Sequence, residues 1–201
     1  MRHKLLLVPV LAALPVFAGD LELGVLLDKQ YSKAQASTFV GSNVNYESIS
    51  PTGLGVRVGF DVLDLKVAAL QLNGTWHNKT TSDLNIGGVK RGEFDNQYWA
   101  AGAMVNWKLL VNVGAGVEYR SEKLAWRNYV PALPAGAEST QGRPWARVNV
   151  GFSIPTPIVS PFFLFEVAAP LSKNSSTSTP KDFTEALAPQ VQIGIYGGIR
   201  F

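Results

Sequence analysis

Reactive side chains are sparse in this chain of 201 residues, which has no cysteine and two histidines, at positions 3 and 77. His77 is followed closely by Thr80, Thr81, Ser82 and Asp83. A base near a hydroxyl and an acid supplies the parts of a nucleophilic site. Such a site also needs the base oriented by a third group at fixed spacing, and no such spacing is present, so His77 is expected to be a polar residue where a strand meets a loop. Asp61 and Asp64, like Glu93 and Asp95, are close carboxylates. They lack the dense, odd-position oxygen pattern of a cation loop, so solvated turn acids are expected and no metal or other cofactor. Without cysteine there is neither a disulfide nor a thiolate metal site. A third group is more regular: Glu22, Arg57, Glu118, Arg120, Arg147, Glu166 and Arg200 fall at alternate positions that also carry Gln, Asn and Gly.

The elements carrying those charges are strands. In residues 190–201, Val191, Ile193, Ile195, Ile199 and Phe201 alternate with Gln192, Gly194, Tyr196, Gly198 and Arg200, the period of a strand with one apolar and one polar face. The same alternation recurs over 21–28, 53–60, 68–77, 99–107, 111–120, 146–153 and 162–169. Each segment is near the ~9–11 residues that a tilted strand needs to cross a bilayer. The connections 28–50, 78–96, 121–143 and 170–188 are long and polar, whereas 61–64, 108–109 and 154–158 are tight. Pro51, Pro144, Pro161 and Pro189 fall at or just before strand starts, and a central ladder is expected to hold none.

Residues 1–18 carry Arg2 and Lys4, then an apolar run from Leu5 to Phe17, and end on Val16-Phe17-Ala18. This is the pattern of a cleaved signal peptide, leaving 19–201 as the mature domain. Its removal leaves 16 basic against 15 acidic residues, and no basic run remains to suggest nucleic acid. Beyond residue 18 no apolar stretch reaches the length of a membrane-spanning helix, so the chain crosses a membrane as a closed barrel or not at all. An arginine facing lipid near mid-bilayer costs about 2–4 kcal/mol, so the apolar row is expected to face lipid and the charged row the lumen. Phe60, Trp107, Phe152 and Phe201 at one end, and Trp76, Trp99, Tyr119 and Trp145 at the other, are expected to form interfacial girdles.

The alternating strands, the segregated loop lengths and the terminal Phe201 resemble the small eight-stranded outer-membrane barrels of the OmpA/OmpX type. The resemblance covers residues 19–201 in architecture. It implies an all-β, eight-stranded antiparallel up-and-down transmembrane β-barrel in the cell outer membrane. It also implies contact with outer-membrane lipid and lipopolysaccharide, and an assembly signal, Ile199 and Phe201, read by the outer-membrane assembly machinery. The peptidoglycan-binding domain that OmpA-like proteins often carry is not expected.

The implied function is a non-catalytic structural or surface-binding role through the outer loops, as a monomer. Two other readings stay open: a narrow channel for small solutes, and a lipid A-modifying hydrolase, which in that family uses a His and a Ser at the outer rim. Gly87-Gly88 is expected to turn a hairpin beyond the membrane, and residues 173–180 form a low-complexity loop. Trp126, Arg127 and Tyr129 are the candidate loop residues for an unidentified surface ligand, because Trp, Tyr and Arg anchor interfaces. Inside, Arg147 is expected to meet Glu166, and Glu22 to meet Arg200 across the closing seam. Glu118 and Arg120 add further partners, which together close a lumen barely wider than its side chains.

Overall fold

A computed structural model describes residues 19–37, 43–65, 67–108, 111–127, 138–172, 185 and 187–201. Among these residues nine strands make one antiparallel sheet: β1 (Leu21–Ser37), β2 (Asn43–Ile49), β3 (Gly53–Asp64), β4 (Ala68–Ile86), β5 (Val89–Lys108), β6 (Asn112–Arg127), β7 (Glu138–Ser153), β8 (Ser160–Pro170) and β9 (Val191–Arg200). β1 pairs with β9 as well as with β3, so the sheet closes on itself. β2 and β3 are one path interrupted at Ser50, Pro51 and Thr52: β3 pairs with the lower part of β1 and β2 with its upper part. The ring therefore has eight staves.

Burial follows the alternation. In β3, Leu54, Val56 and Val58 are exposed while Gly53, Gly55, Arg57 and Gly59 are buried. In β9, Ile193, Ile195 and Ile199 are exposed while Gln192, Tyr196 and Arg200 are buried. A surface this apolar around an interior holding arginine and glutamate is stable only in lipid. The chain is a transmembrane β-barrel, apolar outside and polar within.

Four features depart from the sequence expectation. First, most of the residues expected in long loops are strand: β4 and β5 run on to a two-residue turn at Gly87 and Gly88, and β1, β2, β6 and β7 also continue past the apolar segments. Both turn glycines have positive φ, 57° and 80°, as a tight hairpin turn twisted to match its strands requires. Beside it Lys90 Nζ reaches Asp83 (2.6 Å) and Glu93 (3.1 Å), and these carboxylates raise its pKa.

Second, the register slips between His77 and Thr80. The inward set changes there from Gln71, Asn73, Thr75 and His77 to Thr80, Ser82 and Leu84. His77 is thus a mid-strand residue, and Thr80–Asp83 are not loop.

Third, Pro144 lies inside β7, opposite Tyr119. Its carbonyl accepts from the Leu171 amide just past the end of β8. Its missing N–H falls on the same side, one position past the last β7–β8 pair, Trp145 with Pro170, so the proline sits at the end of that ladder and is tolerated there.

Fourth, Trp145 belongs to no girdle: it is fully buried in the lumen. Trp76, Trp99 and Tyr119 are exposed at one end and Trp107, Phe152 and Phe201 at the other, with Phe60 half-buried.

Candidate functional site

The lumen brings several ionisable groups together out of water. Arg57, projected inward from β3, donates from Nη1 and Nη2 to the two carboxylate oxygens of Glu166 on β8, at 2.6 and 2.9 Å. Its Nε donates to Thr75 Oγ1 at 2.9 Å. This two-point contact crosses the barrel, because β1 and β9 lie between the two strands in the ring. Arg147 reaches Glu118 at 2.8 Å and Glu166 at 3.7 Å. Glu118 takes a second ion pair from Arg120, two residues along the same strand. Arg57, Arg147 and Arg120 thus share Glu166 and Glu118 in one buried network. The expected Arg147–Glu166 pair is only its long edge; the short contacts are Arg57–Glu166 and Arg147–Glu118.

Aromatic rings complete the plug. Arg120 lies between the faces of Tyr98 and Trp145, 4.4 and 3.9 Å from their centroids, and Arg57 lies 4.5 Å from the centroid of Tyr196. Desolvated cation–π contacts of this kind are worth about 2 kcal/mol. Leu26, Phe162, Leu164 and Tyr196 make an apolar cluster within the lumen. The interior is therefore less polar than its charges suggest.

At the seam, Glu22 and Arg200 are directly paired in register, with Arg200 Nε 2.6 Å from Glu22 Oε2. The Tyr196 hydroxyl donates to the other Glu22 oxygen at 2.8 Å. Ile199 faces outward and Phe201 is exposed, its backbone bonded to Leu21 in both directions.

The carboxylates expected to be solvated are engaged instead. Lys108 Nζ lies 3.3, 3.0 and 2.7 Å from Asp20, Asp61 and Asp64, so an ammonium occupies the middle of this acidic group, and Asp61 is buried. Asp95 is buried against Arg127 and Thr81 at the opposite end.

His77 is fully buried. Its Nε2 lies 2.8 Å from Asp28 Oδ1, and its ring stacks on Tyr98 at 4.7 Å. A side chain added at Gly53 meets both Asp28 and His77 within 2.7 Å, so the missing Cβ there makes room for the pair. The dyad was not readable from sequence, because Asp28 and His77 are brought together by the pairing of three strands.

Arg127 is exposed at the end of β6 and forms an ion pair with Asp95 at 2.6 Å. The backbone of Trp126 is strand, opposite Phe94. Tyr129, the leader 1–18 and the low-complexity residues 173–180 lie outside the described residues.

No protein-family model matches the chain, and no curated protein matches its sequence. Solved structures align with this chain over most of its length. Neisserial surface protein A aligns at 12% identity over 90% of this chain and 95% of its own, with a TM-score of 0.46. Ail, the attachment invasion locus protein of Yersinia pestis, aligns at 12% identity over 91% and 99%, with a TM-score of 0.44. The translocator domain of the autotransporter NalP from Neisseria meningitidis aligns at 11% identity over 89% and 86%, with a TM-score of 0.41. No residue role passes from them to this chain.

Proposed function

We propose that this chain is an integral barrel of the outer membrane that stabilises the envelope or binds at the cell surface, without catalysis and without a standing pore. The observation that carries this reading is the cross-barrel contact of Arg57 with Glu166, packed with Arg147, Glu118, Arg120 and Trp145. An eight-stranded ring leaves an interior just wide enough for side chains, and here large charged and aromatic ones span it. His77, buried against Asp28, argues against the hydrolase. The extended ends of β1, β2, β4, β5, β6 and β7 form a sheet standing beyond the apolar belt, a surface suited to contact with partners outside the cell. Ile199 and Phe201, on the outside of the closing strand, supply the feature for the assembly machinery to recognise.

Planar-bilayer recording of the purified protein tests the plug. The expected trace shows no stable conductance of porin size. A stable conductance that is insensitive to Arg147→Ala or Glu166→Ala overturns the reading in favour of a channel. Orientation has its own test. Epitope tags inserted at the Gly87–Gly88 turn, or within residues 173–181, are expected to be reached by antibody on intact cells. Detection only after the outer membrane is permeabilised inverts the topology.

A further inference from the structure

The register slip in β4 sets two residues, Asn78 and Lys79, against Gln97 and leaves both exposed on the outer wall. A bulge re-aims side chains in this way. Lys79 is thereby brought into a group with Arg127 and Lys123. Asp95 is on the outward phase of β5 yet is 3% exposed, because Arg127 Nε (2.6 Å), Lys79 Nζ (3.6 Å) and the Thr81 hydroxyl (2.6 Å) close around it. Lys123 pairs with Glu138 at 3.1 Å, both more than half exposed, a contact worth little in water. Lys79, Asp95, Gln97, Lys123, Ala125, Arg127 and Glu138 line a cavity of about 100 Å³, the room of roughly three waters.

Three cations thus converge on one small cavity, held together from beneath by a buried carboxylate. The contact of Arg127 with Asp95 uses Nε; a guanidinium carries four further N–H donors, in the fork geometry that suits phosphate. Gln97 adds an amide. The position identifies the source of the anion. Trp99, paired with Trp76, stands two residues below Gln97 on the same strand, so the cavity opens about 7 Å along the tilted strand, or about 5 Å in height, beyond the aromatic belt. Aromatic belts mark the edge of the hydrocarbon, and a headgroup layer of about 5–7 Å lies outside it.

We infer that this cavity is a binding site for the phosphate of a phosphorylated glycolipid headgroup of the outer leaflet. The inference rests on the outer-membrane reading above. The bound phosphate displaces Glu138 from Lys123 and takes up donors of Arg127, while Asp95 keeps Lys79 and Arg127 in place.

The test uses the full barrel in phosphatidylcholine nanodiscs, titrated with bisphosphorylated lipid A and with the same lipid stripped of phosphate. The parent is expected to prefer the phosphorylated form. Lys123→Ala with Arg127→Ala is expected to weaken that binding about tenfold or more, since it removes two of the three cations and their charged hydrogen bonds. Lys33→Ala with Lys90→Ala removes the same charge from the outer wall elsewhere and is expected to change binding less than twofold. Equal binding by the parent and the Lys123/Arg127 variant overturns the site, and so does an equal loss in the Lys33/Lys90 variant. Competition by inorganic phosphate at the lipid A concentration overturns the lipid assignment in favour of free phosphate. Heat-modifiable migration on gels reports folding of each variant, and the tag experiment reports orientation, so a failure of the outer-membrane reading is seen separately.

Discussion

Glu166→Ala is expected to destabilise the barrel by about 3–5 kcal/mol, the usual cost of removing one member of a buried ion pair. Arg57 loses two contacts of 2.6 and 2.9 Å, and Arg147 loses its second carboxylate at 3.7 Å. Both guanidinium groups remain buried, and Glu118 is the remaining carboxylate of the shared network. The loss comes from the stranded cations more than from the missing bond. Replacing both partners together, Arg57→Met with Glu166→Leu, is therefore expected to restore most of the stability, because it removes the buried charges while keeping bulk in the lumen. Reversible urea unfolding in lipid vesicles measures both. A loss below 1 kcal/mol for the single variant, or a double variant no better than the single, contradicts the account.

Gly198→Ala is expected to block barrel closure, and Gly197→Ala to be tolerated. A Cβ at Gly198 falls 2.0 Å from the Leu23 carbonyl oxygen and 2.6 Å from Gly24 Cα. Both are backbone atoms of β1, so neither yields by a side-chain rotation. A Cβ at Gly197 meets nothing nearer than 3.4 Å, an ordinary contact on the lipid face. The fraction of heat-modifiable, protease-resistant protein after refolding into vesicles separates the two. Equal yields show that the seam tolerates a wider spacing than the structure describes.

The membrane-spanning part of the fold was legible because lipid demands apolar residues on one face only, which leaves period-2 alternation in plain view along β3, β6 and β9. Beyond the belt that demand ends. In β4, Lys79, Thr81 and Asp83 face out while Thr80 and Ser82 face in, so both faces are polar and strand reads as loop. The slip after His77 conceals the continuation further, since it exchanges the two faces. The height of Trp145 along the strand matches the girdle, but its phase, one residue from Ala146, places it inside.

The site divides in the same way. Glu22 and Arg200 were foreseeable because the first and last staves of a closed ring are neighbours. The contact of Arg57 with Glu166 was not, because contacts across a lumen depend on how the ring closes and on side-chain length rather than on ladder register. The convergence of Lys79, Lys123 and Arg127 was also hidden, since it depends on a bulge that leaves no signature in residue type.

The pairing of Glu22 with Arg200 also has a temporal side. Every other ladder among the described strands joins staves that are consecutive along the chain. The β1–β9 ladder joins residues far apart along the chain, and β9 is the last of the ring's described strands to be synthesised. Contacts of such sequence separation are slow to form, since the entropy of bringing the ends together precedes any return from the ladder. Until it forms, β1 and β9 are open edges, the kind of surface on which strands of other chains add. Closure of this ring is therefore the slow and committing step of its biogenesis, and any factor that shields β1 until β9 arrives acts on yield rather than on final stability.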